Sequence, residues 1–211
     1  MTEAFITAFI VYFVVIDPIG NSPIFLAMTS HLERTKKTRI ALEATFFASV
    51  IMLFFALCGS WILRYLNISE PAFTIAGGII LFTVALEMLT SKRQTRKQES
   101  TTDPASNEQS ETDNIAVFPL AIPLLAGPAS ILSVMVVTAD IKHELEAYLA
   151  SYGALLAVMI VTAITLTLTV RIERFIDERA TMVFSRVTAI ILAALSVQYV
   201  LNGIKSLGFL S

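Results

Sequence analysis

An aspartate inside a long uncharged stretch is the side chain in this sequence most able to do chemistry. Asp17 is followed by Pro18, Ile19, Gly20, Asn21, Ser22 and Pro23, with apolar residues on both sides. An acid in hydrocarbon is costly enough to mark a functional position by default, and it suits the ammonium of a zwitterion, a sodium ion or a coupling proton. Its neighbours interrupt a helix. Pro18 cannot donate to the carbonyl of Val14 and disfavours helix at Asp17, while Gly20 can redirect the chain. Asn21 or Ser22 is then predicted as the cap of a second half-helix, with Pro23 as its first residue. The amides opening that half-helix would face the gap, where the positive end of the helix dipole attracts a carboxylate. Capping these amides is a competing role for Asp17, compatible with the first.

The same grammar returns later in the chain. Pro123 and Pro128 repeat the spacing of Pro18 and Pro23, with Gly127 as the predicted cap, Pro128 as first helical residue, and Ala129 and Ser130 in the opening turn. Asp17 has no mate, because Ile122 stands at its counterpart, so cation chemistry is expected on one side only. The predicted substrate site therefore comprises Asp17, Gly20, Asn21, Ser22 and Pro23 with Gly127, Pro128, Ala129 and Ser130. Asp17 and Glu87 are the candidate coupling-ion residues. Glu87 lies close enough to Lys92 for its carboxylate to reach the membrane interface.

Such residues need membrane-spanning elements to hold them. With 55% hydrophobic and 15% charged residues and a mean hydropathy of +0.74, the chain has too little polar surface to coat a soluble globule. Apolar runs at 4–28, 44–63, 72–86, 115–139, 148–170 and 187–204 predict six transmembrane helices, the third needing Pro71 and the stretch from Met88 to Thr90 to complete its crossing. At about 1.5 Å per residue, 4–16 covers roughly 20 Å and 115–122 roughly 12 Å, which puts both breaks inside the hydrocarbon layer. The first span carries no basic leader and is read as retained. The lone Cys58 excludes an internal disulfide and a thiolate cluster, and no metal or other cofactor is expected.

Basic residues orient the spans. Arg34, Lys36, Lys37 and Arg39 follow the first, Lys92, Arg93, Arg96 and Lys97 the third, and Arg171, Arg174, Arg179 and Arg186 the fifth, leaving Arg64, Lys142 and Lys205 elsewhere. Full crossings gather the first three groups on one face, which by the positive-inside rule places both termini on the periplasmic side of a bacterial inner membrane. Trp61 and Tyr65 fit an aromatic belt at the outer end of the second span. The stretch 92–114, where the basic patch gives way to Glu99, Asp103, Glu108, Glu111 and Asp113, reads as a cytoplasmic polar linker. It separates a first three-helix repeat (1–91) from a second (115–211). Phe73 and the Ile79, Ile80, Leu81 triplet align with Phe184 and Ile190, Ile191, Leu192. An odd number of spans in each half makes the repeats inverted, a plan common among secondary transporters.

Other polar residues are predicted to be structural. Thr162, Thr165 and Thr169 should bond to their own preceding turns, Gln198 and Asn202 should bridge helices, and Glu43 should be an interfacial ion. Ala76, Gly77 and Gly78 with Ala189, Ala193 and Ala194 would allow close helix approach. Both histidines, His31 and His143, fall in loops and Asp17 is the only deep acid, which argues against an intramembrane protease and against an enzyme altogether.

The run from Asp17 to Pro23, the run Pro119, Leu120, Ala121, Ile122, Pro123, Leu124, Leu125, Ala126, Gly127, Pro128, and the stretch Ile75, Ala76, Gly77, Gly78, Ile79 together resemble the MarC family of inner-membrane proteins. The resemblance implies six spans and a place beside neutral amino acid transporters related to the lysine exporters. Asp17, where members often have Asn, and Ala129, where they often have Gly, depart from the pattern. The resulting expectation is an all-α integral membrane protein that moves small neutral amino acids by alternating access, with a proton or sodium ion as coupling partner. A homo-oligomer in the bilayer fits this expectation, and a nucleic-acid partner does not. The alternatives are a channel or exporter for another small solute, and a non-transporting membrane scaffold.

Overall fold

In hydrocarbon every backbone amide must find a partner within its own segment, so apolar runs wind into helix. The computed structural model describes residues 1–90, 116–140, 145–173 and 178–208. In chain order these form α1 (Thr2–Ile16), α2 (Pro18–Met28), α3 (Arg34–Tyr65), α4 (Glu70–Leu89), a π-helix π1 (Ala116–Leu125), α5 (Pro128–Asp140), α6 (Leu145–Arg171) and α7 (Glu178–Ser206), with no β-strand among the described residues. The helices overrun the apolar stretches. α3 begins at Arg34 and α7 at Glu178, because Arg, Lys, Glu and Thr continue a helix at little cost.

Five helical segments are long and apolar enough to cross a membrane: Thr2–Met28, Arg34–Tyr65, Glu70–Leu89, Leu145–Arg171 and Ala180–Ser206. The protein is a multi-pass integral membrane protein. The predicted fourth span is divided into π1 and the shorter apolar α5, neither long enough alone. α4 takes in Pro71 and Met88, as its short apolar core required. The predicted linker over 92–114 lies outside the described residues.

Packing joins helices from the two ends of the chain. α4 runs along α7, and a Cβ placed on Gly78 would lie 2.6 Å from the carbonyl oxygen of Ser196 and 3.0 Å from the amide of Val200. Gly203 answers from α7, its own Cβ position 2.6 Å from Ile75 Cγ1. Gly77 faces α5 instead, against Leu132 and Val136. Thus glycines form the close approach, and the predicted alanine face is only partly used: Ala189 is buried, but Ala194 is exposed. Gln198 donates to Asn202 of its own helix at 2.8 Å rather than bridging to another, since residues four apart share a helix face.

α6 is the hub of the other side, packed by α1, α2 and α3. Tyr12 on α1 hydrogen-bonds Ser151 on α6 at 2.7 Å in the buried interior. Lys37, brought onto α3 by that helix's early start, is 4% exposed and contacts both carboxylate oxygens of Glu173 at 3.0 Å. The exterior carries Phe46, Phe54, Ile160, Ile164 and Ile190 exposed, a surface suited to lipid tails. Trp61 stacks on Tyr65 at the end of α3, both largely exposed.

Gly78→Ala should lower stability by about 1–3 kcal/mol through overpacking. Gly153→Ala, whose Cβ would meet nothing nearer than Phe5 at 3.7 Å, should be neutral or stabilising by about 0.5–1 kcal/mol. Thermal unfolding of the two purified variants in one detergent measures the contrast.

Candidate functional site

The first break is a single residue wide. Asp17 takes left-handed backbone angles, φ 52° and ψ 62°, and serves two helices at once. Its amide donates to the Phe13 carbonyl at 2.9 Å and closes α1, while its carbonyl accepts from the Asn21 amide at 3.0 Å and opens α2. Its Oδ1 accepts from the Gly20 amide at 3.0 Å. Asp is a preferred helix cap and Pro a preferred first helical residue, so the Asp17–Pro18 pair lets the helix restart immediately. The predicted start at Pro23, with Asn21 or Ser22 as cap, is therefore corrected. Pro23 lies inside α2, and the amides that follow it are committed to the helix rather than to the gap.

Asn21 and Ser22 have different duties from those predicted. Asn21 Nδ2 reaches back 2.7 Å to the Ile16 carbonyl, one of the acceptors left over where α1 ends. Ser22 donates to the Pro18 carbonyl at 2.9 Å and accepts from Thr169 of α6 at 3.1 Å. Thr162 does bond its own turn, at the Val158 carbonyl, but Thr169 does not follow that prediction. A threonine hydroxyl facing a second polar hydroxyl across a helix seam has a better use than back-bonding.

Close packing against Gly20 brings in a residue not predicted from sequence. A methyl group at Gly20 would collide with Asp17 Oδ2 and lie 2.7 Å from Ser185 Oγ on α7. The Ser185 hydroxyl is buried without a hydrogen-bond partner, an unusual state for such a group. Asp17, Gly20, Asn21 and Ser22 are buried as well. The arrangement offers a carboxylate oxygen and a hydroxyl oxygen near one point, a pairing able to receive an ammonium group or a small cation.

The second break is built differently. π1 ends with the Ala126 amide donating to the Ala121 carbonyl at 2.8 Å, a bond spanning one residue more than in an α-helix. Gly127 then accepts from the Ile131 amide at 3.0 Å, so α5 begins at Pro128, as predicted. Gly127 and Ser130 are buried, Ala129 is half-buried and Pro128 is exposed. The amides of Ala129 and Ser130 occupy the opening turn, where an α-helix supplies no acceptors of its own. Glu87 lies in the last turn of α4, half-buried, and Glu43 pairs with Arg39 at 2.6 Å as an interfacial ion should. The two broken segments meet: α1 packs on α5, and α2 touches π1.

The model of a family described as "MarC family integral membrane protein" matches residues 2–207. A UPF0056 membrane protein of Methanocaldococcus jannaschii is 34% identical over 203 residues, covering 96% of this chain and 97% of that protein. Relatives from Aquifex aeolicus (30% identical, 96% and 93% covered) and Buchnera aphidicola (31% identical, 95% and 96% covered) carry the same description. No solved structure matches the chain.

Asp17→Asn keeps a residue that both caps helices and tolerates left-handed angles, and it should fold normally. Asp17→Ala should lose about 1–2 kcal/mol, and Asn21→Ala about 1–3 kcal/mol by stranding the Ile16 carbonyl. Thermal denaturation of the detergent-solubilised variants ranks the three.

Proposed function

The chain belongs to the MarC family of integral membrane proteins, and from this premise we propose that it is a secondary transporter of small neutral amino acids, working by alternating access around its two broken helices. The observation that carries the proposal is the meeting, at an interrupted span, of the buried Asp17 carboxylate with an unpartnered Ser185 hydroxyl from another helix. In this reading Asp17 Oδ2 and Ser185 Oγ receive the ammonium group or a coupling proton or sodium ion. The amides of Ala129 and Ser130 at the start of α5 receive the carboxylate, aided by the positive end of that helix. The Gly20 amide, already held by Asp17, contributes less.

The packing of α1 on α5 and α2 on π1 supports an inverted relation between the halves, because two antiparallel broken segments crossing side by side would pair in this way. Six spans in two inverted repeats, with both termini periplasmic in a bacterial inner membrane, complete the proposal. Transport is preferred to catalysis, since His31 is exposed in a surface turn rather than held beside the break.

Purified protein in liposomes should move labelled alanine, glycine or serine under an imposed proton or sodium gradient. Asp17→Asn should reach the bilayer folded yet show a changed ion dependence. Absence of movement for every small amino acid under both gradients would refute the proposal.

A further inference from the structure

On the lipid-facing side of the α3–α6 seam, away from the breaks, two cavities join. One, of about 390 Å³, is lined by Leu42, Ile160, Ala163, Ile164, Thr167 and Leu168. The other, of about 570 Å³, is lined by Arg34, Thr35, Thr38, Arg39 and Glu43. Leu42 and Arg171 border both, so an apolar furrow runs directly into a cationic mouth. Its walls open outward: Ile160 and Ile164 are each 60% exposed.

The charges of the mouth are unbalanced. Arg39 is offset by Glu43, and Lys37 is turned inward to Glu173. Arg34 and Arg171 make no ion pair among the described residues, and they flank the same opening. From Ile160 to Arg171 the furrow follows α6 for about 16 Å, about half of the ~30 Å hydrocarbon thickness and so the depth of one leaflet. One turn deeper than Arg171, the Thr167 hydroxyl has no hydrogen-bond partner, and it can rotate to donate to an ester oxygen.

We propose that this furrow binds one anionic glycerophospholipid, with the phosphate between Arg34 and Arg171, an ester group near Thr167, and an acyl chain along Leu42, Ile160 and Ile164. A free phosphate would meet the same arginines but leave the leaflet-deep apolar walls unused. A zwitterionic lipid would fill the walls but bring a cation to the mouth. The combination selects a headgroup with net negative charge, the arrangement expected where basic pockets between helices face a membrane surface.

The test is lipid retention by the full-length protein. Purified protein is incubated with mixed micelles holding equal phosphatidylglycerol and phosphatidylcholine, washed in detergent, and its bound lipid measured by native mass spectrometry. The wild type should retain phosphatidylglycerol preferentially, and R34Q/R171Q should reduce that preference roughly tenfold. Lys205→Gln, which removes a cation from the last turn of α7, should leave it unchanged. Ile164→Trp fills the furrow without altering charge and should release the lipid, and it decides the matter alone if the double arginine variant does not fold. Equal retention of the two lipids by the wild type, unchanged preference in R34Q/R171Q, full retention in Ile164→Trp, or displacement by inorganic phosphate at matched concentration would each overturn the proposal.

Discussion

A helix interrupted within hydrocarbon must satisfy its severed backbone without water, and the first span rests on that constraint. Each unpaired amide or carbonyl there would cost several kcal/mol. Asp17 meets the demand from both sides, its amide ending α1 while its carbonyl and carboxylate open α2. Asn21 takes the Ile16 carbonyl. The polar residues are thus needed for folding before they are available for a ligand. Beside the second carboxylate oxygen of Asp17 lies the Ser185 hydroxyl, brought by a different helix and buried without a hydrogen-bond partner.

Polar side chains recur at the helix seams around α2 and α6. Ser185 approaches Gly20 from α7, Ser22 meets Thr169 of α6, and Lys37 of α3 holds Glu173 just past the end of α6. The first two tie α2 to α7 and α6, so movement of that broken segment relative to them must exchange these partners, while the third ties α3 to the end of α6. The Lys37–Glu173 pair is the costlier to part, because Lys37 is 4% exposed and would be left as an uncompensated buried charge. Its Glu173 partner is more open to solvent, which moderates that cost.

Composition and proline spacing were sufficient to read an all-helical membrane protein with two interrupted spans, because hydrophobic length and helix breaking are local properties. Two details were not local. α7 begins well before its apolar run, so Ser185, beside Arg186, reads as part of a loop in sequence although it packs on Gly20. Thr169 fits a self-bonding threonine by spacing, and only the α2–α6 contact reveals Ser22 as its partner. The start of α2 was legible in principle, since Asp followed by Pro is itself a cap and first-turn pair. Pro23 offers a second, competing first-turn position, yet a proline inside a helix is tolerated where nearby polar groups take up the freed backbone.

The two breaks solve one problem by different means, and their mechanical character should differ accordingly. The first is held by side chains, with Asp17 and Asn21 each joining α1 to α2, and its register cannot change without losing a bond to each. At the second, backbone bonds carry the described turn, through the wide winding of π1 and the carbonyl of Gly127. A π-helix holds one more residue per bond than an α-helix, so tightening part of π1 would rotate and advance the residues before Gly127 while keeping their amides bonded. A segment that can trade one hydrogen-bonded register for another in hydrocarbon keeps its backbone satisfied at low cost. The first break therefore ties its backbone to the placement of a carboxylate, whereas the second ties it to the winding of a helix.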